Sequence, residues 1–482
     1  MTVAAWQKAL AKMRPAFRPR IIPRLETWPW LVRFVQTRLG KVALAVVFGS
    51  VLALNHDARA LLIAVALLAI SLWPQHRRSL VAFATFYSLL VYTLGGSGAS
   101  SPSYLAVMLF FVFAGICIHQ AQLRPDIWIF RRPVRNLLVF YGALMVTVYC
   151  LPFNGFTMAM LSVFVVFFGK CLWFLGYALL DRRRKGQQPV PVRLFHFQPF
   201  WGSTNVPYPK GENYLARIEA RTDQDQAITQ LKGLKLVLWA SVLKIFSALF
   251  EQLVHGTPGF FRRWLPGSFG VPDMPVAIAA YLWGQPFSRG LCWLSVMANF
   301  CSMLLTISIV GHFIIGTCRM AGFNALRNTY RPLAATSIAE FYNRIYYYFK
   351  ELLVDFFFYP AYLRYFKDRP RLRLFFATLA AASFGNLLYH ILASLGAASQ
   401  IGLWRMIVGF QVYAVYALIL GLAIGVSQIR SLGRAPAKGG LVSTLGVMLF
   451  YCLIMVLDSR NLNWSIADYG SFLLNLFIPF SR

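Results

Sequence analysis

Residues 322–360 read GFNALRNTYRPLAATSIAEFYNRIYYYFKELLVDFFFYP, and an apolar segment then leads to a lone histidine, His390. Polar and charged side chains are denser here than anywhere else in the second half of the chain, although the flanking segments are apolar enough to be membrane helices. Charged side chains are costly where they face lipid. The stretch therefore indicates a polar region enclosed by membrane helices, and it is the first place to look for chemistry.

The composition of the whole chain excludes a soluble protein. The 482 residues are 58% hydrophobic and only 13% charged, and the mean hydropathy is +0.58. A soluble fold of this size covers its surface with charge. The net charge of +31 does not indicate nucleic acid, because Lys and Arg lie in short loops between apolar runs, as in cytoplasmic loops of membrane proteins. We expect an all-α polytopic integral membrane protein.

Twelve apolar segments have the length of candidate spans, since a bilayer requires about 20 residues per helix. They are 42–55, 58–73, 79–95, 103–119, 137–152, 155–180, 234–254, 291–317, 374–399, 402–427, 440–457 and 465–480. The charged segment 338–362 fits a re-entrant or interfacial path better than a span, because such a path lines protein and not lipid. The sequence thus predicts about 12 transmembrane helices plus re-entrant or interfacial helices.

The loops divide the chain into four parts. These are a basic N-terminal segment (1–41), an N-terminal transmembrane bundle (42–180), a hydrophilic loop (181–233) and a C-terminal membrane region (234–482), whose core is 319–400. Connectors 120–136 and 181–185 each carry four Lys or Arg, whereas the alternate connectors 95–103 and 151–156 carry none. We therefore expect a cytoplasmic N-terminus and a cytoplasmic 181–233 loop. Residues 212–230 are expected to form a surface helix, either as a linker or as a docking site.

No metal site is expected. The seven cysteines are dispersed without a C-x-x-C pair, and no H-x-x-x-H or H-E-x-x-H spacing places two histidines on one helical face. His390 is the sharpest single candidate, because no charged residue occurs between Arg373 and Arg405. It is either a structural histidine bonded to a neighbouring helix or a functional one. His312 is the other histidine inside an apolar run.

The order of residues in this stretch resembles the signature of the membrane-bound O-acyltransferases. The residues that carry the resemblance are Gly322-Phe323-Asn324, Asn328, Arg331-Pro332, Ser337-Ile338, Glu340-Phe341, Arg344, Asp355, Pro360 and His390. The resemblance is greatest to the bacterial branch that acylates cell-surface polymers, such as alginate O-acetylases and D-alanyl transferases of teichoic acid. In that family an intramembrane histidine is essential, and it aligns with His390. A second family position, His or Asn, aligns with Tyr346.

The resemblance implies a fold and an activity. A central tunnel would bring an acyl group, with acetyl expected, from a cytoplasmic thioester to a hydroxyl of a cell-surface polymer or lipid-linked glycan. The donor would be a coenzyme A or carrier-protein thioester acting as co-substrate, with no bound cofactor, and a periplasmic transferase is a further expected partner. His390 would be the general base and Tyr346 a hydrogen-bond donor. Donor-binding residues are expected at Asn328, Arg331, Glu340, Arg344 and Asp355.

Two other classes of function stay open. One is a transporter or flippase, although no internal repeat supports a transporter built from inverted halves. The other is a non-catalytic membrane subunit of an acylation complex, in which His390 would tolerate substitution. Glu340 and Arg344, four residues apart on a helix, are equally expected to form a structural ion pair. The expected location of the protein is the bacterial inner membrane.

Overall fold

The helices of this protein were located in a computed structural model. It describes residues 22–55, 59–95, 101–181, 189–197, 199–202, 210–257, 259, 267–395, 401–432, 440–459 and 463–478. Of these residues 81% are helical, and no β-strand occurs among them. The predicted all-α class is therefore confirmed. Residues 1–21, the basic run 182–185 and the turn 207–209 lie outside the described residues.

Besides the four-residue helix Trp128–Arg131, seven α-helices are described in the N-terminal part. They are α1 (Pro29–Gln36), α2 (Arg38–Leu54), α3 (Ala60–Leu72), α4 (Arg77–Gly95), α5 (Ser101–Leu123), α6 (Pro133–Cys150) and α7 (Gly155–Leu180). The side chains of Thr37 and Asn154 cap α2 and α7 by accepting hydrogen bonds from Gly40 N and Thr157 N. The C-terminal half of α7 is almost continuously buried, so this helix is an internal support for the elements around it.

The middle of the chain contributes two long helices and three short ones. They are α8 (Val190–His196), α9 (Glu212–Ile218), α10 (Asp223–His255), α11 (Met274–Leu282) and α12 (Arg289–Met320). No pair of described helices packs more extensively than α10 and α12. Their backbones approach at Gly233 and Gly316, where a Cβ atom on Gly233 would lie 2.7 Å from Gly316 O. Glycine on both sides permits this close crossing, as in other membrane helix pairs.

Nine shorter helices form the C-terminal part. They are α13 (Ile338–Ile345), α14 (Tyr347–Leu353), α15 (Tyr359–Arg364), α16 (Pro370–Leu379), α17 (Asn386–Ala393), α18 (Leu403–Gly409), α19 (Gln411–Ser431), α20 (Leu441–Ile454) and α21 (Ile466–Phe477). Two π-helical turns, Val354–Phe358 and Ala380–Gly385, continue α14 into α15 and α16 into α17. The turns pack against each other, with the ring of Phe357 directly over Gly385.

The number of spans is smaller than predicted. Each of the twelve predicted segments is mainly helical in its described residues, but among the described residues only six helices are long and apolar enough to cross a membrane, or eight if each of two bent pairs is one span. The helix α3 has 13 residues, which is about 20 Å at 1.5 Å per residue, against a hydrocarbon core of about 30 Å. The chain has the helices of a multi-pass membrane protein, but the prediction of twelve spans is wrong.

Residues 212–230 also differ from the prediction. They do not form one surface helix: α9 ends at Ile218, and α10 starts at Asp223 and continues into an apolar helix. Gln226 and Gln230 are buried, and they donate hydrogen bonds to Ser71 O and Ser71 Oγ. Gln226 and Gln230 are therefore internal and bind the end of α3, which periodicity alone does not reveal, whereas Asp223 and Asp225 are exposed.

Candidate functional site

His390 lies on α17, immediately after the second π-helical turn, and aromatic rings surround its half-buried imidazole. The ring centroids of Tyr413, Tyr389 and Phe349 lie 5.0, 5.3 and 5.7 Å from that of His390, all with edge-on geometry. These contacts come from three separate elements, α19, α17 and α14. The imidazole is therefore held by packing in a mainly apolar, aromatic setting, which strengthens any hydrogen bond made there.

The interruption between helices α13 and α14 brings Tyr346 towards the rings around His390. Tyr346 has φ −124° and ψ 51°, which ends α13 and starts α14. Its ring centroid is 6.3 Å from Phe349, the residue that also contacts His390. The two predicted catalytic residues thus contact one shared aromatic ring. The hydroxyl of Tyr346 donates to Met303 Sδ at 3.6 Å, and a thioether is a weak acceptor.

The hydroxyl of a neighbouring tyrosine, Tyr342, has no hydrogen-bond partner among the described residues. Tyr342 is 6% exposed, its ring centroid is 5.6 Å from that of Tyr346, and its buried oxygen makes no hydrogen bond within the described chain. Buried hydroxyls normally have a partner. Asp458 interacts electrostatically with Tyr342, Tyr346 and Tyr416.

Sequence reasoning missed three residues of this group. Tyr413 and Tyr416 lie on α19, with their ring centroids 5.1 Å apart, and Tyr413 also donates to Asn386 Oδ1 at 3.1 Å. The sequence did not indicate them, because tyrosines within an apolar helix are normally interpreted as packing residues. Asp458 carried a usable signal, since it is an isolated acidic residue at the end of an apolar segment.

Glu340 and Arg344 form the predicted ion pair. Arg344 Nη2 and Nε lie 2.6 and 2.9 Å from Glu340 Oε1, while Glu340 Oε2 accepts from Thr336 N and Thr336 Oγ1. Both carboxylate oxygens are therefore occupied within the protein. Burial opposes ionisation of Glu340, but the hydrogen bonds from Thr336 and Arg344 outweigh it and lower its pKa.

Arg331 and Asn328 lie next to this pair. Arg331 has φ +49°, its carbonyl accepts from Arg344 Nη1, and its guanidinium lies 5.5 Å from the centroid of the Tyr330 ring. Asn328 is buried and its Oδ1 accepts from Tyr348 N at 3.3 Å. The structure thus brings four of the five predicted donor-binding residues together, and internal bonds hold most of their polar atoms. Their role in donor binding stays a prediction.

Asp355, the fifth predicted donor-binding residue, belongs to a different cluster. Its carboxylate accepts from Tyr177 OH at 2.9 Å and lies 3.1 Å from Lys210 Nζ, and Lys210 also contacts Glu351 at 2.7 Å. Burial disfavours the charged forms of both Lys210 and Glu351. Even so, the opposite charges raise the pKa of Lys210, and Lys350 and Lys210 together lower that of Glu351.

The first residues of the family-like signature have a structural role. Gly322 has φ +87°, and a Cβ atom there would lie 2.7 Å from the guanidinium carbon of Arg77. The buried Arg77 contacts Glu219 at 3.2 Å and donates to Gln226 Oε1 at 2.7 Å. Since Ala220 N also donates to Gly322 O, this glycine is required where α4, α10 and α12 meet.

His312 and metal binding complete the predicted features. His312 is half-buried on α12, with Nδ1 2.5 Å from Ser308 O. Among the described side chains, no three of His, Cys, Asp or Glu come together as metal ligands.

No known protein family model matches the chain, and no curated protein is significantly similar to it. The resemblance to membrane-bound O-acyltransferases therefore stays a prediction from the ordered residues of 322–390.

Proposed function

We propose that this protein is a membrane-bound O-acyltransferase of the bacterial inner membrane. It transfers an acyl group, with acetyl the first to test, from a cytoplasmic coenzyme A or carrier-protein thioester to a hydroxyl of a cell-surface polymer or lipid-linked glycan. The N-terminus is cytoplasmic in this proposal, a central tunnel carries the reactants, and a periplasmic transferase is an additional partner. The ordered residues between Gly322 and His390 support the class of reaction.

One observation carries the proposal: His390 and Tyr346 contact the same ring, Phe349, in aromatic surroundings. An imidazole is suited to accept a proton from a hydroxyl, because its usual pKa is close to neutral pH. A phenol is suited to donate to a carbonyl oxygen on which negative charge develops. Tyr346 loses little by turning towards a substrate, because its present acceptor is a thioether sulfur.

The proposed reaction has one proton path. His390 takes the proton of the acceptor hydroxyl while that oxygen attacks the thioester carbonyl carbon, and Tyr346 donates a hydrogen bond to the carbonyl oxygen as it becomes negative. Collapse of the tetrahedral intermediate breaks the C–S bond, and the leaving thiolate takes the proton from the imidazolium. An ester and a free thiol are formed, and the histidine returns to its neutral state.

The test is a measurement of ester-linked acyl groups on surface polymers. Cells would carry the wild type, a deletion, His390→Ala or Tyr346→Phe at matched protein levels. We expect the ester to be lost with the deletion and with His390→Ala. Tyr346→Phe should lower transfer about 100-fold, as does removal of one oxyanion donor in other enzymes. Thioester turnover by the purified proteins gives a second readout that does not require the acceptor to be known.

The matched control is His119→Ala. His119 is an exposed histidine near the end of α5, far in sequence from the aromatic group, so full ester levels are expected. The proposal is wrong if His390→Ala retains wild-type ester levels and wild-type thioester turnover. Esters that are equal in the wild type and the deletion, together with no thioester turnover by the pure protein, would instead favour a transporter.

A further inference from the structure

A large cleft opens on the side of the molecule, away from the rings around His390. Its volume is about 1280 Å³. The start of α6, the end of α7, both π-helical turns, α15 and α16 line it. Paired π-helical turns widen the spacing of side chains along a helix and are frequent at functional sites. The packing of Phe357 over Gly385 holds the two turns together behind the cleft.

The cleft is strongly basic around the start of α6 and the end of α15. Five of the lining side chains are cationic: Arg131, Arg132, Arg135, Arg364 and Lys367. None of the five forms a salt bridge with a carboxylate in the described part of the chain. The one acidic lining residue among those described, Asp355, is already bound to Lys210 and Tyr177. The rim therefore has uncompensated positive charge.

The rest of the cleft is mainly apolar. Phe376 and Phe384 line it and are 36% and 61% exposed, so these rings face the surroundings of the protein. The step from Phe376 to Phe384 is eight residues, which is about 12 Å of helix. The hydrocarbon of one leaflet is about 15 Å thick, half of the roughly 30 Å core of a bilayer, so this apolar wall covers most of one leaflet.

We propose that this cleft is a binding site for one anionic phospholipid of the surrounding bilayer. The phosphate would lie among the unpaired cations of the rim, and an acyl chain would follow the apolar wall towards Phe384. Basic pockets between membrane helices bind anionic headgroups, and each cation near the headgroups adds to the attraction. A free phosphate would use the rim alone and would leave the apolar wall without a role. Asp355, a predicted donor-binding residue, lines the cleft, but none of the three rings around His390 does, and the proposal does not depend on acyl transfer.

The test uses full-length protein in mild detergent, titrated with phosphatidylglycerol or phosphatidylcholine and analysed by native mass spectrometry. We expect one phosphatidylglycerol to be retained at a concentration at least tenfold lower than phosphatidylcholine. The double variant Arg132→Gln/Arg364→Gln should weaken phosphatidylglycerol binding about tenfold or more, because two headgroup cations are lost. Phe384→Trp, which fills the apolar wall and leaves every charge in place, should lower lipid occupancy several-fold.

The matched control is Arg371→Gln/Arg430→Gln, which removes two exposed arginines that do not line the cleft. Its affinity for phosphatidylglycerol should stay within about twofold of the wild type. Equal retention of the two lipids, or an equal loss in test and control variants, would overturn the proposal. Inorganic phosphate that displaces the lipid completely would replace a lipid site with a simple anion site. Thermal unfolding checks that each variant is folded, and Phe384→Trp remains decisive if the charge variant is not.

Discussion

The buried hydroxyl of Tyr342 destabilises the folded protein, because it makes no hydrogen bond within the described chain. A buried hydroxyl without a hydrogen bond costs roughly 1–3 kcal/mol, and no partner exists for this one within the described chain. A substrate carbonyl or hydroxyl bound next to Tyr346 would supply that partner. The orphan hydroxyl therefore indicates a group that is satisfied only when substrate is present.

Tyr342→Phe tests this reading. Removal of an unsatisfied hydroxyl should leave the unfolding temperature in detergent unchanged or higher, while acyl transfer falls about tenfold or more, because a substrate hydrogen bond is lost. Tyr451→Phe is the control. Tyr451 is also buried, but its hydroxyl donates to Ile338 O at 2.9 Å, so its loss should destabilise the protein by about 1 kcal/mol. Stability that falls equally in both variants would show that the Tyr342 hydroxyl has a structural partner.

Residue-scale prediction from sequence succeeded where partners are close along the chain. The pairing of Glu340 with Arg344 follows from their spacing of four on a helix and is confirmed. The contact of Lys210 with Glu351 joins residues 141 positions apart, so no local pattern contains it. Tyr413 was missed for the same reason, because only the packing of α19 against α17 brings it to His390.

At the scale of elements, the crossing of α10 and α12 depends on two glycines. A Cβ atom on Gly316 would lie 2.4 Å from a methyl carbon of Val237 and 3.1 Å from Gly233 O. Gly316→Ala should therefore separate the helices and destabilise the protein by about 1–3 kcal/mol, as overpacking does elsewhere. The measurement is thermal unfolding in detergent.

Gly142→Ala provides the comparison for that variant. Gly142 lies inside α6, and a Cβ atom there would meet nothing within 4 Å. Alanine is the better helix former, so the change should be neutral or stabilising by up to about 1 kcal/mol. A loss of stability as large as that of Gly316→Ala would remove the argument from close packing.

The Lys210 cluster predicts how stability depends on pH. The pKa of Glu351 is lowered in the folded protein, so its contribution is complete above the usual glutamate pKa and is lost as the pH falls through the folded pKa. Lys210→Met removes one of the two lysines that lower this pKa. The variant should lose about 1–3 kcal/mol of stability at pH 7. Its further loss of stability in acid should be smaller and should be complete at a higher pH than in the wild type, because the folded pKa of Glu351 then lies closer to the unfolded value.

Unfolding temperatures between pH 7 and pH 4 measure this shift, with Lys244→Met as the reference. Lys244 donates to a backbone carbonyl, Asn55 O, at 2.7 Å, and none of the described carboxylates pairs with it. Its removal should leave the pH profile in the wild-type position. Superimposable profiles for all three proteins would mean that Lys210 does not influence the ionisation of Glu351.

At the scale of the whole molecule, the positions of the apolar helices could be predicted from the sequence better than the number of membrane spans. Each of the twelve predicted apolar runs overlaps a described helix, but several short helices, among them α8 and α9, lie outside these runs. The bends between α1 and α2, 100°, and between α3 and the helix at Pro74–Leu90, 112°, could not be read from hydropathy. The first bend lies at Thr37, where there is no proline. Pro74 starts the helix at the second bend, but a proline marks a boundary and does not give the angle there.

Orientation in the membrane is the prediction that belongs to this scale. The native exposed cysteines, Cys150 and Cys301, would first be replaced. Single cysteines would then be introduced at three exposed positions, Arg221, Arg371 and Trp283. In intact cells a membrane-impermeant maleimide should label position 283, whereas positions 221 and 371 should react only after the cells are opened, because basic loops remain cytoplasmic. Labelling of position 371 in intact cells would reverse the proposed orientation.

The bond from Tyr346 to Met303 has a consequence in the chemistry of oxidation. In the reduced form, Met303 Sδ lies 3.6 Å from the Tyr346 hydroxyl. Conversion of Met303 to its sulfoxide would replace this weak thioether acceptor with a polar S=O oxygen. That oxygen would hold the hydroxyl and withdraw it from any carbonyl in the site. In the proposed centre, oxidation of Met303 would therefore compete with a substrate for the Tyr346 hydroxyl, and reduction of the sulfoxide would release that hydroxyl again.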